Sequence, residues 1–295
     1  MDSWQGFTQD RPVSNKLIFL SDCQQPMRVE KLRLKSYRNE EARDSLLSDI
    51  LRQRPQYLFL LGDLTSASSI EKSWEPIDSF LHRQVGKNIQ VMAIPGNHEY
   101  YSNAKRGIRN FRKRFPADSK VGSVVKADSL AVILLNSNFS KLSSLESQEQ
   151  QIWYLSMMDS LDVDSGIKAI FVCTHHSPYT NSKIVRPSKQ VLLKFVPRFA
   201  DSPKSKLFIT GHSHNLEYFN GKEGKKFMVI GGGGGLTQPL QPARKAMYVD
   251  LIQQEMKPLF FYLIIERKGN SYSLSARGLQ KEFSAVKTFQ VDTID

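Results

Sequence analysis

Five times in this chain a short apolar run, of the length and β-branched content of a strand, stops at a small cluster of acidic, amide or imidazole side chains. The runs are Leu17-Ile18-Phe19-Leu20-Ser21, Tyr57-Leu58-Phe59-Leu60-Leu61, Ile89-Gln90-Val91-Met92-Ala93-Ile94-Pro95, Ala169-Ile170-Phe171-Val172-Cys173-Thr174 and Lys206-Leu207-Phe208-Ile209-Thr210. Runs that are apolar throughout, rather than at alternate positions, predict strands buried on both faces. The polar ends are Asp22-x-Gln24, Gly62-Asp63, Gly96-Asn97-His98-Glu99, His175-His176 and Gly211-His212-Ser213-His214. One such end alone is an ordinary turn. Five in series are a pattern that a fold must place together.

Between the first two runs, Leu46, Leu47, Ile50 and Leu51 fall at helical spacing within Arg43 to Arg54, which predicts a crossover helix. Strand, helix, strand means parallel strands with a right-handed crossover, whose functional groups collect at the carboxyl ends. Asp22 and Asp63 should therefore be neighbours. If the backbone stays extended after Asp22, Asp22 and Gln24 present two oxygens on one side. Two buried carboxylates repel unless one is protonated or a cation sits between them. A divalent metal removes the difficulty.

Further helices are expected over Ile70, Trp74, Ile77, Phe80 and Leu81, and over Glu149 to Leu161 with Ile152, Trp153, Leu155, Met158 and Leu161 as its core stripe. Ser123 to Lys126 and Leu130 to Leu135 predict a hairpin about Asp128-Ser129, and Leu259 to Glu266 with Ser271 to Ala276 predicts a terminal one. Gly231 to Gly235 lacks the Gly-Lys-Ser/Thr of a P-loop and reads as a close backbone crossing. No repeat or linker interrupts the chain, so one domain is expected over 1–295, with a core of about 16–240 and a C-terminal hairpin over 258–290.

The donor types define the chemistry. Carboxylate, amide and imidazole together suit manganese, iron or zinc better than the all-oxygen shells of magnesium and calcium. There are too many donors for one ion, and an aspartate between two groups can bridge a pair roughly 3.5–4 Å apart. His212 and His214, two residues apart, can face one centre while Gly211 admits the backbone closely.

In this order the five blocks resemble the calcineurin-like metallophosphoesterase superfamily. Echoes of its purple-acid-phosphatase-like and bacterial phosphohydrolase branches are Gln151-Ile152-Trp153-Tyr154-Leu155, His175-His176-Ser177-Pro178-Tyr179 and Phe227 to Gly235. The resemblance implies an α/β fold, a four-layer α/β/β/α sandwich with two central mixed sheets, and a dinuclear hydrolase of phosphoester or diphosphate bonds. It implies that Asp22, Gln24 and His214 bind one metal, that Asn97, His212 and His175 bind the second, and that Asp63 bridges them. His176, the other candidate for the His175 position, would touch the substrate phosphate. His98, oriented by Glu99, would be the general acid. Gln24 stands where most members have histidine and should favour manganese or magnesium over zinc. Leu64-Thr65-Ser66 supplies no tyrosine after Asp63, so an iron-tyrosinate colour is not expected.

A formal charge of +12 predicts attraction to phosphorylated substrates, nucleic acid or anionic lipid. Its densest cluster, Lys105 to Phe115, places Ile108, Phe111 and Phe115 at helical spacing and reads as a packed helix with a solvated basic face. A nuclease or a membrane-surface enzyme, the latter prompted by Phe260-Phe261-Tyr262 beside basic residues, and a non-catalytic binding protein are the competing readings. Loops 102–119 and 180–189, with Lys183, Arg186 and Lys189, are the expected seat of specificity. Met1 to Lys16 lacks a basic end followed by an apolar run, and no stretch is long enough to span a bilayer, so a cytoplasmic chain is expected. Two cysteines, Cys23 and Cys173, form no disulfide framework and should pack in the core. Nothing in the sequence sets an oligomeric state.

Overall fold

Every fully apolar run divides its side chains between two interiors. On the first strand Leu17 and Phe19 enter a core between two sheets, while Ile18 and Leu20 enter a core beneath helices. The same alternation holds for Phe59 and Leu61 against Leu58 and Leu60, and for Phe171 and Cys173 against Ile170 and Val172. Period-two side-chain alternation with both faces covered requires four layers. The computed structural model describes residues 14–279 and 286–295, apart from 33, 85–86 and 118–120, and it has that α/β/β/α arrangement.

The first sheet runs β12 (Val286–Ile294), β11 (Ser271–Leu279), β10 (Phe260–Lys268), β1 (Ser14–Leu20), β2 (Pro55–Leu60) and β3 (Gln90–Ala93). β1, β2 and β3 are parallel, with Leu20 opposite Leu60 and Leu60 opposite Ala93, so their carboxyl ends are level. The second runs β4 (Ser123–Ala127), β5 (Leu130–Leu134), β6 (Ala169–Cys173), β7 (Ser205–Thr210), β9 (Lys226–Ile230) and β8 (Leu216–Asn220), parallel from β5 to β9. Phe19 and Phe59 stack at 4.6 Å within the core between the sheets.

Helices α2 (Asn39–Gln53), α3 (Glu75–Gln84) and α4 (Ala104–Arg114) cover the first sheet, α1 (Arg28–Lys31) being a single turn. Helices α5 (Ser144–Val163), α6 (Lys189–Lys194) and α7 (Val196–Asp201) cover the second. Helix α4 buries Phe111, and Phe115 just after its end, as expected, while Lys105, Arg106, Arg109 and Lys113 are exposed. Arg114 departs from the solvated face, since its guanidinium reaches Asp78 and Glu71 and lies over the Trp74 ring. Both cysteines are free and buried, and burial pushes their thiols up.

The structure corrects several expectations. Ile152 is 59% exposed and Leu155 also faces out, because the buried face of α5 is Gln150, Tyr154, Met158 and Leu161. That rotation is fixed by polar groups: Gln150 holds both backbone atoms of Asn136, and the Tyr154 hydroxyl donates to the Phe195 carbonyl. Ile70 is exposed and precedes a 3-10 turn rather than opening the helix. Phe260, Phe261 and Tyr262 are fully buried in β10 and offer nothing to a membrane. The terminal hairpin, of which 280–285 lie outside the described residues, is no appendage. β10 pairs antiparallel with β1, so half of the first sheet comes from beyond residue 240. Residues 1–13, on which the targeting expectation rested, also lie outside the described residues. Among the described residues no helix is long and apolar enough to cross a membrane.

The late strands are tied to α2 through Asp49, which is buried and accepts from Tyr262 Oη at 2.6 Å and Arg277 Nε at 2.6 Å. Burial pushes its carboxyl up, but the Arg277 and Tyr262 hydrogen bonds outweigh this and hold it below the usual carboxylate value. Its folded pKa is therefore depressed. The stability it contributes is present above the unfolded-state value near 3.9 and is lost as pH falls through the lower folded value. Asp49→Ala, which takes the carboxylate from Arg277 and the acceptor from the Tyr262 hydroxyl while Arg277 keeps its bond to Thr288, should cost about 3–5 kcal/mol by denaturant unfolding at neutral pH. Asp49→Asn should flatten the acid limb of stability against pH.

Candidate metal centre

The carboxyl ends of both sheets meet at one place, and the chain turns there by way of left-handed residues. Asp22, Asp63 and His212 have φ of 62°, 52° and 67°. For residues with a Cβ this conformation costs roughly 1–2 kcal/mol each, and it persists only where the surroundings fix it. The backbone at Asp22 is thus left-handed, so the condition of an extended chain is not met, but Asp22 and Gln24 still converge. Backbone bonds to the end of β2 hold them there: Asp22 N donates to Gly62 O and Gln24 N to Asp63 O, both at 3.0 Å.

Each aspartate divides its oxygens between two tasks. Asp63 Oδ1 accepts from His98 N at 2.7 Å, and Asp22 Oδ2 accepts from His212 N at 2.9 Å, so one oxygen of each pins a neighbouring strand end. The other oxygen faces inward. Asp63 Oδ2 lies 3.2 Å from His175 Nε2, and Asp22 Oδ1 lies 3.3 Å from His214 Nε2, buried and, among the described residues, without a hydrogen-bond partner.

The imidazoles are oriented by backbone carbonyls. His175 Nδ1 lies 2.8 Å from Leu61 O, His214 Nδ1 2.7 Å from Leu236 O, and His98 Nδ1 2.8 Å from Ser66 O. A carbonyl only accepts, so each Nδ1 carries a proton, and a ligand role for His175 and His214 falls to the Nε2 lone pair. His175 Nε2 also lies 3.2 Å from Asn97 Oδ1. The Gln24 amide is assigned by its partners: with Nε2 donating to the carbonyls of Asp22 (3.2 Å) and Asp63 (3.0 Å), Oε1 lies 3.0 Å from His214 Nε2. There an oxygen and an imidazole lone pair face one another beside an unpartnered carboxylate oxygen.

Donor atoms of Asp22, Asp63 and His214 lie within 4.8 Å of one another, and so do those of His175, His176 and His212. Asp63 touches both groups through His175. Burial raises the Asp63 carboxyl, yet His175 and His98 outweigh it and hold the group ionised. Burial lowers His175, but Asp63 more than offsets this and raises it to about 9. Burial, reinforced by His175, lowers His176 to about 3, while burial with His176 and His175 keeps His212 neutral. Two buried carboxylates, an orphaned oxygen and the neutral imidazoles of His176 and His212 at this spacing fit a pair of divalent cations.

Glu99 is the main correction. It does not hydrogen-bond His98; its Oε2 accepts from Asp63 N (2.8 Å) and Gly96 N (2.7 Å), and its Oε1 from Leu64 N (3.0 Å) and Ser68 Oγ (3.2 Å). It is a brace between the ends of β2 and β3. Glu99→Gln must turn its NH2 group toward at least one backbone N–H, that of Leu64, since the Ser68 hydroxyl beside it can accept instead, so the isosteric change should cost about 1–3 kcal/mol of stability. A tenfold to hundredfold loss of metal affinity, measured by titration, should accompany it.

The sequence reading also passed over Asn136-Ser137-Asn138 at the end of β5. Ser137 Oγ accepts from His176 N at 2.9 Å and pairs with its Nδ1 at 2.8 Å, Asn138 donates to Pro95 O, and Asn136 donates to Tyr100 Oη. This is a sixth polar strand end, and its position after an apolar run was a usable signal. Gly211 acts as expected, since a Cβ there would lie 2.5 Å from Asp22 Oδ2. The glycine run is a crossing, not a phosphate cradle: Gly233 N and Gly235 N are spent on the carbonyls of Ser21 and Asp22, each at 2.9 Å.

The family model described as calcineurin-like phosphoesterase matches residues 16–216 of the chain. No curated protein matches the sequence. Among solved structures, purple acid phosphatase PPD1 from yellow lupin (Lupinus luteus) seeds superposes with a TM-score of 0.70 at 14% identity, over 94% of this chain and 53% of that one. The chain thus spans about half the length of that relative. GAP50, the anchor in the inner membrane complex of Plasmodium, gives 0.66 at 12% identity over 95% of this chain and 89% of that one. A dimetal phosphatase from Danio rerio gives 0.61 at 13% identity over 96% of this chain and 100% of that one. At these identities the likenesses establish the fold.

Proposed function

Since the chain belongs to the calcineurin-like phosphoesterase family, we propose that it hydrolyses a phosphoester or diphosphate bond at a dinuclear divalent-metal centre. The observation that carries this reading is Asp63, a buried carboxylate whose inner oxygen lies 3.2 Å from His175 Nε2 and which belongs with Asp22 and His214 to one donor group. In this reading Asp22, Gln24 and His214 hold one ion, Asn97, His175 and His212 hold the other, and Asp63 serves both. Two bound cations supply the Lewis acidity that activates water and offsets charge on the phosphoryl oxygens.

The remaining work falls to the chain. The carbonyls of Leu61 and Leu236 keep the Nε2 atoms of His175 and His214 turned inward, and Glu99 keeps the ends of β2 and β3 in register. His176, held by Ser137, would touch a phosphate oxygen. His98 would hold a proton at Nε2 and give it to the departing oxygen.

The Gln24 oxygen in place of an imidazole favours manganese or magnesium over zinc, and the mixed donor set also suits iron. Metal-stripped protein, reconstituted separately with manganese, iron, zinc and magnesium, should regain cleavage of p-nitrophenyl phosphate, bis-p-nitrophenyl phosphate or a nucleoside diphosphate-linked compound. Manganese should restore more than zinc. Two bound ions with no cleavage across that panel would overturn the hydrolase reading in favour of a binding protein on this fold.

A further inference from the structure

Two segments that leave the metal centre pair with each other and form a rim of unusual composition. The first follows His176: Ser188 N donates to Ser177 O at 2.7 Å, so the loop between them starts and ends beside the site. The second follows the glycine run, where Leu236 O holds His214 and Gln238 Nε2 donates to His212 O at 3.3 Å. They are joined by the Ser182 to Leu240 bridge, by Lys183 N to Pro239 O, and by Asn181, whose side chain binds the backbone at Met247 and Tyr248.

Residues 180–189 and 236–249 contain five cations and no acid. Lys183, Arg186, Lys189, Arg244 and Lys245 are exposed and take part in no ion pair among the described residues. Among them stand large apolar side chains in water: Ile184 at 52%, Met247 at 69% and Val249 at 82% exposure. Asp250, the acid that follows, is engaged by Lys257. The exposed cations of α4 differ, for its apolar residues Phe111 and Ile108 face the core.

We infer that this rim docks the chain on an anionic lipid bilayer, its cations meeting headgroup phosphates while Ile184, Met247 and Val249 enter the interface. Charge complementarity with the apolar residues selects the partner. A polyanion such as nucleic acid would satisfy the cations but leave three aliphatic side chains in water, whereas an anionic bilayer satisfies both sets. The docking stands apart from the phosphohydrolase reading and is tested without turnover.

The experiment is sedimentation of the full chain with vesicles of phosphatidylcholine alone or with about one third phosphatidylglycerol, at low and high salt. The anionic vesicles should bind, the neutral ones should not, and salt should weaken binding. Arg244→Glu with Lys245→Glu should weaken it by roughly 30-fold or more, from the attraction each cation contributes near such a surface. Lys105→Glu with Arg109→Glu should change it little. Met247→Trp should show a blue-shifted emission on anionic vesicles, and melting temperature would confirm that each variant is folded. No binding to anionic vesicles, or binding unmoved by the rim reversal, would overturn the inference. So would an emission from the Met247→Trp variant that stays unshifted while duplex DNA competes for binding, which would mark a polyanion site instead.

Discussion

Replacing Asp63 by Asn should lower metal-dependent phosphoester cleavage by about 10³-fold or more, the scale of losing several kcal/mol of metal-borne stabilisation. The variant isolates charge from shape. Asparagine tolerates the left-handed conformation at φ 52° better than other residues with a Cβ. Its Oδ1 can still accept from His98 N, now at 2.7 Å, so the end of β3 stays in place. What changes is the inner oxygen, 3.2 Å from His175 Nε2, which becomes an NH2 group that donates to the imidazole and repels a cation. Metal analysis should therefore show fewer than two ions per chain, and the metal-free melting temperature should fall, because His175 and His98 lose the carboxylate charge they face. Retained turnover with two bound ions would remove Asp63 from the bridging position.

The strands and their polar ends were legible because burial on both faces writes a continuous apolar run, and Asp22, Asp63, His175 and His212 end four of these runs. What holds those side chains was not legible. Leu61, Ser66 and Leu236 orient three imidazoles through backbone carbonyls, which any residue supplies, so no side-chain identity marks them. Glu99 misled for a related reason: adjacency to His98 in sequence suggested a pair, whereas its partners are backbone amides of Asp63, Leu64 and Gly96. On α5 the apolar residues Ile152 and Leu155 pointed to the wrong face because Gln150 and Tyr154, both polar, set the rotation by hydrogen bonds. β12 escaped notice because an edge strand in which the adjacent Lys287 and Thr288, on opposite faces, are both exposed carries little apolar periodicity. β8, though buried, carries Glu217, whose carboxylate is occupied by Thr180 and Asn181.

His98 should behave differently from every proposed ligand. Its Nδ1 is fixed on Ser66 O at 2.8 Å, its Nε2 is 3.9 Å from Asp63 Oδ2, and it belongs to neither group of converging donors. It is near enough to reach a substrate bound at the centre and too far out to complete either ligand set. His98→Ala keeps the backbone N–H that Asp63 accepts, so both ions should remain bound and the fold intact. Turnover should nevertheless fall by about two to four orders of magnitude, the range for losing a general acid. The leaving group gives the sharper test. A p-nitrophenolate departs without needing a proton, so that ester should lose least, and the loss should grow as the leaving alcohol becomes more basic. A loss equal across leaving groups would assign His98 to phosphate binding instead, and a loss that tracks missing metal would make it a ligand after all.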